Sequence, residues 1–465
     1  MPELELPPRM AALRPEIGDI VENLERELPY GAVLLSSQEG LWIQIDSEDQ
    51  SVTEEPPMAG AVVTVNDGKT LHERAVGGLD PRSASEAAEK LASSLTASPG
   101  LDIDPGPKRQ GDFETPMKVS PNSLSVKEKL DWGRELQRKA RGLDERVVNV
   151  RVTLRERSYF SVFRNRHADL AQHVQRLYLL LLVFVADSEG RREYDVGIRA
   201  ATGGWETLEF SDEELQELVE NAVSLLSAER IEPGEYTVVA SPRVAGLICH
   251  ESFGHGVETD MFLKERARAA HYVDQKVGSP LVNIYDDPSV PGALGSYFFD
   301  DEGWPAGPTQ IVEDGVFRRG ITDLYSASAL GIPRSPNGRR QDFTRKAYAR
   351  MSNTFFGRGE TPVEDLFAQV DDGIYLDRGT SGVEDPQGWG IQVICSLARE
   401  IKNGQVTDRV FSPVGVTGYV PHVLQSIEAA SDEWGLDAGQ CGKGHKEYVF
   451  VTSGGPHLLM KASLG

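Results

Sequence analysis

Between Arg146 and Ala200 apolar and polar residues repeatedly alternate, most plainly at Val148, Val150, Val152 and Leu154. A period of two puts one set of side chains on a single face of an extended strand, and no helix can satisfy it. The alternation and the β-branched content predict strands at Arg146–Glu156, Ser158–Arg164, Leu177–Ala186 and Glu193–Ala200. Two capping boxes bracket this run. Ser125-Val-Lys-Glu128 opens a helix to about Arg141, and Ser211-Asp-Glu-Glu214 opens another to about Ala228. Strands flanked by helices make residues 124–229 an α+β layer.

Residues 1–97 read as a second α+β layer. Met10–Leu28 carries Leu13, Ile17, Ile20, Val21 and Leu24 at helical spacing. Strand-like runs follow at Gly31–Ser36, Gly40–Ile45 and Gly60–Val65, the last ended by the turn signal Asn66-Asp-Gly68. A helix over Ser85–Leu95 closes the unit. Residues 98–123 hold five prolines and three glycines without apolar periodicity, as expected of a linker or a loop lying across the surface. From about residue 230 onward glycine and proline become frequent and short strands alternate with turns. The expected fold is therefore α+β and multidomain: two N-terminal layers, then a β-rich C-terminal unit at 230–465.

Composition narrows the function classes. Across 465 residues, 72 acidic side chains against 48 Lys and Arg give a net charge of −24. Phosphate backbones and anionic membranes are bound chiefly through Lys and Arg, so neither nucleic acid nor a membrane surface is an expected partner. The longest apolar run, Leu177–Ala186, is far short of the roughly 20 residues that span a bilayer. Three cysteines (Cys249, Cys395, Cys441) are too few for a disulfide scaffold and suit a reducing compartment. The opening MPELELPPRM shows no basic segment followed by an apolar one. The expectation is a cytoplasmic protein.

Chemistry concentrates near one helix. Gly234–Ala240 reads as a strand, Ser241-Pro242 as a turn, and the helix after it carries His250-Glu251-x-x-x-His255. Two imidazoles hold zinc well, and a carboxylate beside the first can reach a water on the metal. Five residues apart on an α-helix, however, means about 140° of net rotation, so the two rings do not share a face. A π-bulge would bring them together, and Gly254 and Gly256 are compatible with one. A third ligand is needed. Cys441, His445, His422, His457, Glu258 and Asp260 are all candidates, whereas Cys249 and Cys395 read as core.

The segment His250-Glu-Ser-Phe-Gly-His-Gly-Val-Glu-Thr-Asp260 resembles the signature of the TldD/PmbA metalloprotease family. Further matches follow in order: Asp286-Asp-Pro288, Phe299-Asp-Asp-Glu-Gly303, Ile311-Val-Glu-Asp-Gly315, Asn337-Gly-Arg-Arg340, Arg350-Met-Ser-Asn-Thr354 and Cys441-Gly-Lys443. The resemblance is strong over residues 229–465. It implies that the C-terminal unit is a metallopeptidase domain, with His250, His255 and Cys441 binding zinc and Glu251 as general base. It also implies a TldE-like partner subunit or a second copy of the chain, the two clasping an enclosed cavity. Because the metal motif is intact, the chain is similar to the zinc-binding TldD side. His445 stands where the family is expected to carry Gln.

On these expectations the chain is a zinc-dependent peptidase that cleaves unfolded or extended peptides by Glu-assisted attack of a zinc-bound water. Tyr325, Asn337 and Arg350 are candidate oxyanion donors or substrate contacts, and Glu258 could orient His255 from behind. The glycines at 379–382 and 453–455 would allow a substrate strand to approach closely. The alternative is a non-catalytic, zinc-stabilised subunit that binds peptides or scaffolds a two-chain complex. An intact Glu251 favours the enzyme, since a structural site has no need of a base.

Overall fold

The computed structural model describes residues 4–444 and 447–465. Seven strands form its first sheet: β1 (Tyr30–Ile45), β2 (Gln50–Asn66), β3 (Leu71–Gly77), β4 (Arg109–Glu114), β5 (Val147–Asn165), β6 (Ala168–Ala186) and β7 (Arg192–Thr202). The path is β3-β2-β1-β5-β6-β4, with β7 also on β6. β1 and β5 run antiparallel from Ala32↔Asn165 to Ile45↔Val152, so strands of both N-terminal segments lie in one sheet. The expected linker contributes β4, which pairs parallel to β6.

The alternating pattern has its physical cause in what covers this sheet. Leu177, Leu179, Leu181, Val183 and Val185 point to a face covered by α4 (Val126–Arg141) and α5 (Asp212–Leu225) and are fully buried. Both capping boxes are present, with Glu128 and Glu214 returning hydrogen bonds to Ser125 and Ser211. β6 begins nine residues earlier than expected. Its first half buries polar side chains against the C-terminal region: Gln172 Oε1 accepts from Phe298 N at 2.9 Å, and Arg176 Nε donates to Leu294 O at 2.9 Å.

The expected helix at 10–28 is two helices, α1 (Pro8–Leu13) and α2 (Glu16–Glu25), parted at Arg14-Pro15, where proline supplies no N–H. The helix expected at 85–95 starts earlier, as α3 (Pro81–Ser93), because Asp80 caps it through Ser83 N at 3.0 Å.

A thirteen-stranded sheet carries the rest. Near its middle, Glu447–Leu464 pairs antiparallel with β8 (Gly234–Ala240) and parallel with Asn353–Phe356. α6 (Pro242–Phe253) crosses this strand so closely that a Cβ on Gly246 would lie 2.5 Å from Gly454 N. The glycines at 454 and 455 are thus taken up by the protein's own helix rather than left open to a substrate strand. Among the described residues no helix is long and apolar enough to cross a membrane.

Candidate metal centre

α6 is positioned by its ends. Ser241 accepts from Val244 N, Pro242 occupies the first turn, and Val244, Ala245, Ile248, Cys249 and Phe253 are completely buried. Its C-terminus corrects the π-bulge expectation. Gly254 N still donates to His250 O at 3.1 Å, an ordinary helical bond, and the helix then stops. Gly254 takes φ −98° and ψ −81°, and a 3₁₀ turn, His255–Val257, follows. A tightened turn, not a widened one, swings His255 back toward His250. The ring centroids are 5.2 Å apart and nearly perpendicular at 89°. Only glycine fits at 254, because a Cβ there would strike Met351 Sδ and the His250 carbonyl.

Cys441 comes from the other side, on strand Ala429–Lys443, opposite Val449 of the central strand. Its Sγ lies 3.1 Å from His255 Nε2. The ligand atoms of His250, His255 and Cys441 all fall within 4.8 Å of one another. Burial opposes ionisation of the thiol, but His255 and His250 outweigh it and hold Cys441 well below its usual range. Arg350 Nη2 reinforces this, 3.2 Å from the sulfur and 2.8 Å from the Cys441 carbonyl. One soft thiolate and two converging imidazoles form a donor set that fits zinc.

Behind the ligands is a buried ionic network. Glu258 Oε2 faces His255 Nδ1 at 3.4 Å, leaving Nε2 turned to the sulfur. Burial would raise this carboxyl, yet Lys443, His255 and Arg350 together hold it far below the carboxylate range. Lys443 Nζ reaches Glu258 at 3.0 Å and Asp260 at 2.6 Å. Lys443 is two residues past Cys441, so this ammonium fastens the cysteine strand to the histidine turn.

Glu251 follows the first ligand and is 6% exposed. Beside it stands a residue that sequence reading missed, Glu384, on strand Gly379–Asp385. Carboxylate oxygens of Glu251 and Glu384 and a ring nitrogen of His255 lie within 4.8 Å of one another. Burial, with Glu251 and Glu258 nearby, raises Glu384 to about 7 against the pull of His255. Gly382, on the same face of that strand, is pressed against Glu251, where a Cβ would be 2.5 Å from its Cγ. The available signal was the i, i+2 placement of Gly382 and Glu384; nothing local says that this hairpin folds onto α6.

The remaining predicted residues fall elsewhere. Asn337 donates its amide to Asp286 at 2.7 Å and to Arg350 O at 3.0 Å, reaching the cluster only through Arg350. Tyr325 sits beside Lys346 and makes no hydrogen bond to the three ligands. Asp260 pairs with Lys264 and Lys443. His422 packs on Tyr419, and His457 lies against Tyr375 and Phe367, so neither joins the cluster. Cys249 and Cys395 are buried and free, as core residues. His445 lies outside the described residues.

With this geometry in place, two family models match: the PmbA/TldA metallopeptidase central domain over residues 119–228, and its C-terminal domain over residues 233–463. The chain belongs to the TldD/PmbA metalloprotease family. Among its relatives, a metalloprotease of Synechocystis sp. is 26% identical, with 97% of this chain and 98% of the relative covered. A metalloprotease of Methanothermobacter thermautotrophicus is 31% identical, with 68% and 70% covered. The solved structure of TldE from Thermococcus kodakarensis superposes with a TM-score of 0.75 over 97% of this chain and all of that one, at 18% identity. At that identity the likeness establishes the fold, an α+β arrangement shared end to end.

Proposed function

We propose that the chain is a zinc-dependent peptidase acting on unfolded or extended peptides, with residues 230–465 as its catalytic domain. His250, His255 and Cys441 would hold the ion, which when bound polarises the scissile carbonyl and acidifies a water. One observation carries the reading: a buried carboxylate, Glu251, stands next to the three converging ligands, where a purely structural site would need none. Glu251 would take the water's proton on a carboxylate oxygen and deliver it to the nitrogen of the leaving amine. Glu384, bearing or sharing a proton beside it, keeps the two carboxyls from repelling. Among the described residues, strand Gly379–Asp385 pairs on one side only, with Gly390–Cys395, so an extended peptide could add to its other edge by main-chain hydrogen bonds. Such recognition favours unfolded chains and gives little side-chain selectivity. The resemblance and the TldE-like fold support a TldE-like partner or a second copy, and the free cysteines support a cytoplasmic setting.

Glu251→Gln keeps size and removes the base. Zinc content should hold while hydrolysis of an unfolded peptide falls by at least about a hundredfold. A variant that cleaves at the parental rate would show that Glu251 is not the base, and a zinc-loaded parent protein that cleaves no peptide would return the chain to the scaffold reading.

A further inference from the structure

Between the seven-stranded sheet and the Cys441 hairpin lies a cavity of about 450 Å³ that the peptidase chemistry does not use. Arg155, Arg157, Arg176, Arg339 and Arg340 line it, against three aspartates. Three of the arginines have a carboxylate partner. Arg155 and Arg157 share Glu55 at 2.8 and 2.6 Å, and Arg340 pairs with Glu73 at 2.9 Å.

Arg176 and Arg339 are different. Both are more than nine-tenths buried, at 8% and 7% exposure. Among the described residues Arg176 donates only to the Leu294 and Ser296 carbonyls, each at 2.9 Å, and Arg339 only to the carbonyls of Met351 and Phe450. Among the described residues neither guanidinium has a carboxylate partner, although each has five N–H donors. Burial together with the neighbouring Arg339 charge pushes Arg176 down to about 9, an abnormal position for a guanidinium. Asp301 acts on Arg176 without pairing with it, so two neighbouring buried guanidiniums are left with carbonyl contacts only, and a shared anion would supply the charge-assisted bonds they lack.

The rest of the lining narrows the anion. Asp301 accepts from Tyr159 Oη at 2.5 Å and Arg340 N at 2.8 Å, and Asp342 accepts from Thr344 N at 2.8 Å. These committed but negative groups disfavour a dianion such as phosphate. Met58, Tyr297, Phe299 and Phe450 supply apolar wall, so the occupant has an organic body. We propose that this cavity binds a monocarboxylate of small-peptide size, its carboxylate shared between the Arg176 and Arg339 guanidiniums. Planar guanidinium forks match carboxylate oxygens in pairs. The source is either a peptide C-terminus or a free organic acid.

Isothermal titration of full-length Glu251→Gln protein separates these. The probes are Ala-Ala-Phe, its C-terminal amide, N-acetylphenylalanine and inorganic phosphate. The peptide acid should bind at least about tenfold more tightly than the amide and than phosphate. N-acetylphenylalanine binding as tightly as the peptide would name free acids as the source, and weaker binding would name peptide termini. Arg339→Gln should abolish the preference for acid over amide. Because that side chain is buried, Gln38→Glu, a half-buried substitution in the cavity wall, is the second test and should weaken the acid about tenfold by repulsion. Equal affinity for acid and amide, tighter binding of phosphate, or acid binding unchanged by Gln38→Glu would overturn the assignment.

Discussion

The sheet of β1–β7 and the candidate metal region bury their side chains on different terms. Beneath α4 and α5 the sheet is packed with Leu, Val and Ile, and Lys129–Glu156 at 2.7 Å is a buried ion pair at its margin. Around α6 an apolar core that includes Val244, Ile248 and Phe253 is joined by a cluster of buried charges, Glu258, Arg350, Asp286 and Asp260, beside His250 and Cys441. An apolar layer tolerates many sequences of similar volume. A buried ionic network tolerates few, because every charge removed leaves another unpaired. Substitutions in the apolar layer should therefore cost stability and substitutions in the ionic cluster should cost geometry, so the two can be separated.

The largest effect is expected at the ligands. Cys441→Ala and His250→Ala each remove one of three protein donors, so purified protein should fall from about one zinc per chain to less than about a tenth. Elemental analysis showing full zinc in both would break the contrast. In the sheet, Leu181→Ala should cost about 2–5 kcal/mol of unfolding free energy by leaving a cavity, with zinc per folded chain unchanged. Chemical denaturation followed by metal analysis of the folded fraction checks this. Lys443→Met should do the reverse and more gently. The fold should persist while zinc affinity drops about ten- to a hundredfold, because His255 and Cys441 lose the tie through Glu258. A competition titration with a chelator reads that change.

Sequence reading reached what is local. The capping boxes at Ser125 and Ser211 need only neighbours three residues apart, and both appear. The alternation through Val150, Val152 and Leu154 needs only a covered face. Polar strand residues such as Gln172 and Arg176 broke the pattern because their partners, Phe298 and Leu294, lie more than a hundred residues away. At the site, His250, Glu251 and His255 stood out by type and spacing, but the backbone that joins them did not. Met351, from a distant segment, crowds position 254 so that only glycine fits where the helix ends and the 3₁₀ turn begins. Cys441 was one of six third-ligand candidates by residue type, and the family resemblance singled it out. Glu384 and the role of Lys443 were invisible for one reason: both lie on hairpins that become part of the site only when they fold onto α6.

The central claim is that two imidazoles and one thiolate meet at a single zinc. X-ray absorption at the zinc edge of the purified chain tests it most directly. The account predicts one sulfur at about 2.3 Å and at least two nitrogens at about 2.0–2.1 Å, with the sulfur lost from any zinc remaining in Cys441→Ala. A first shell of nitrogen and oxygen alone in the parent protein would contradict it.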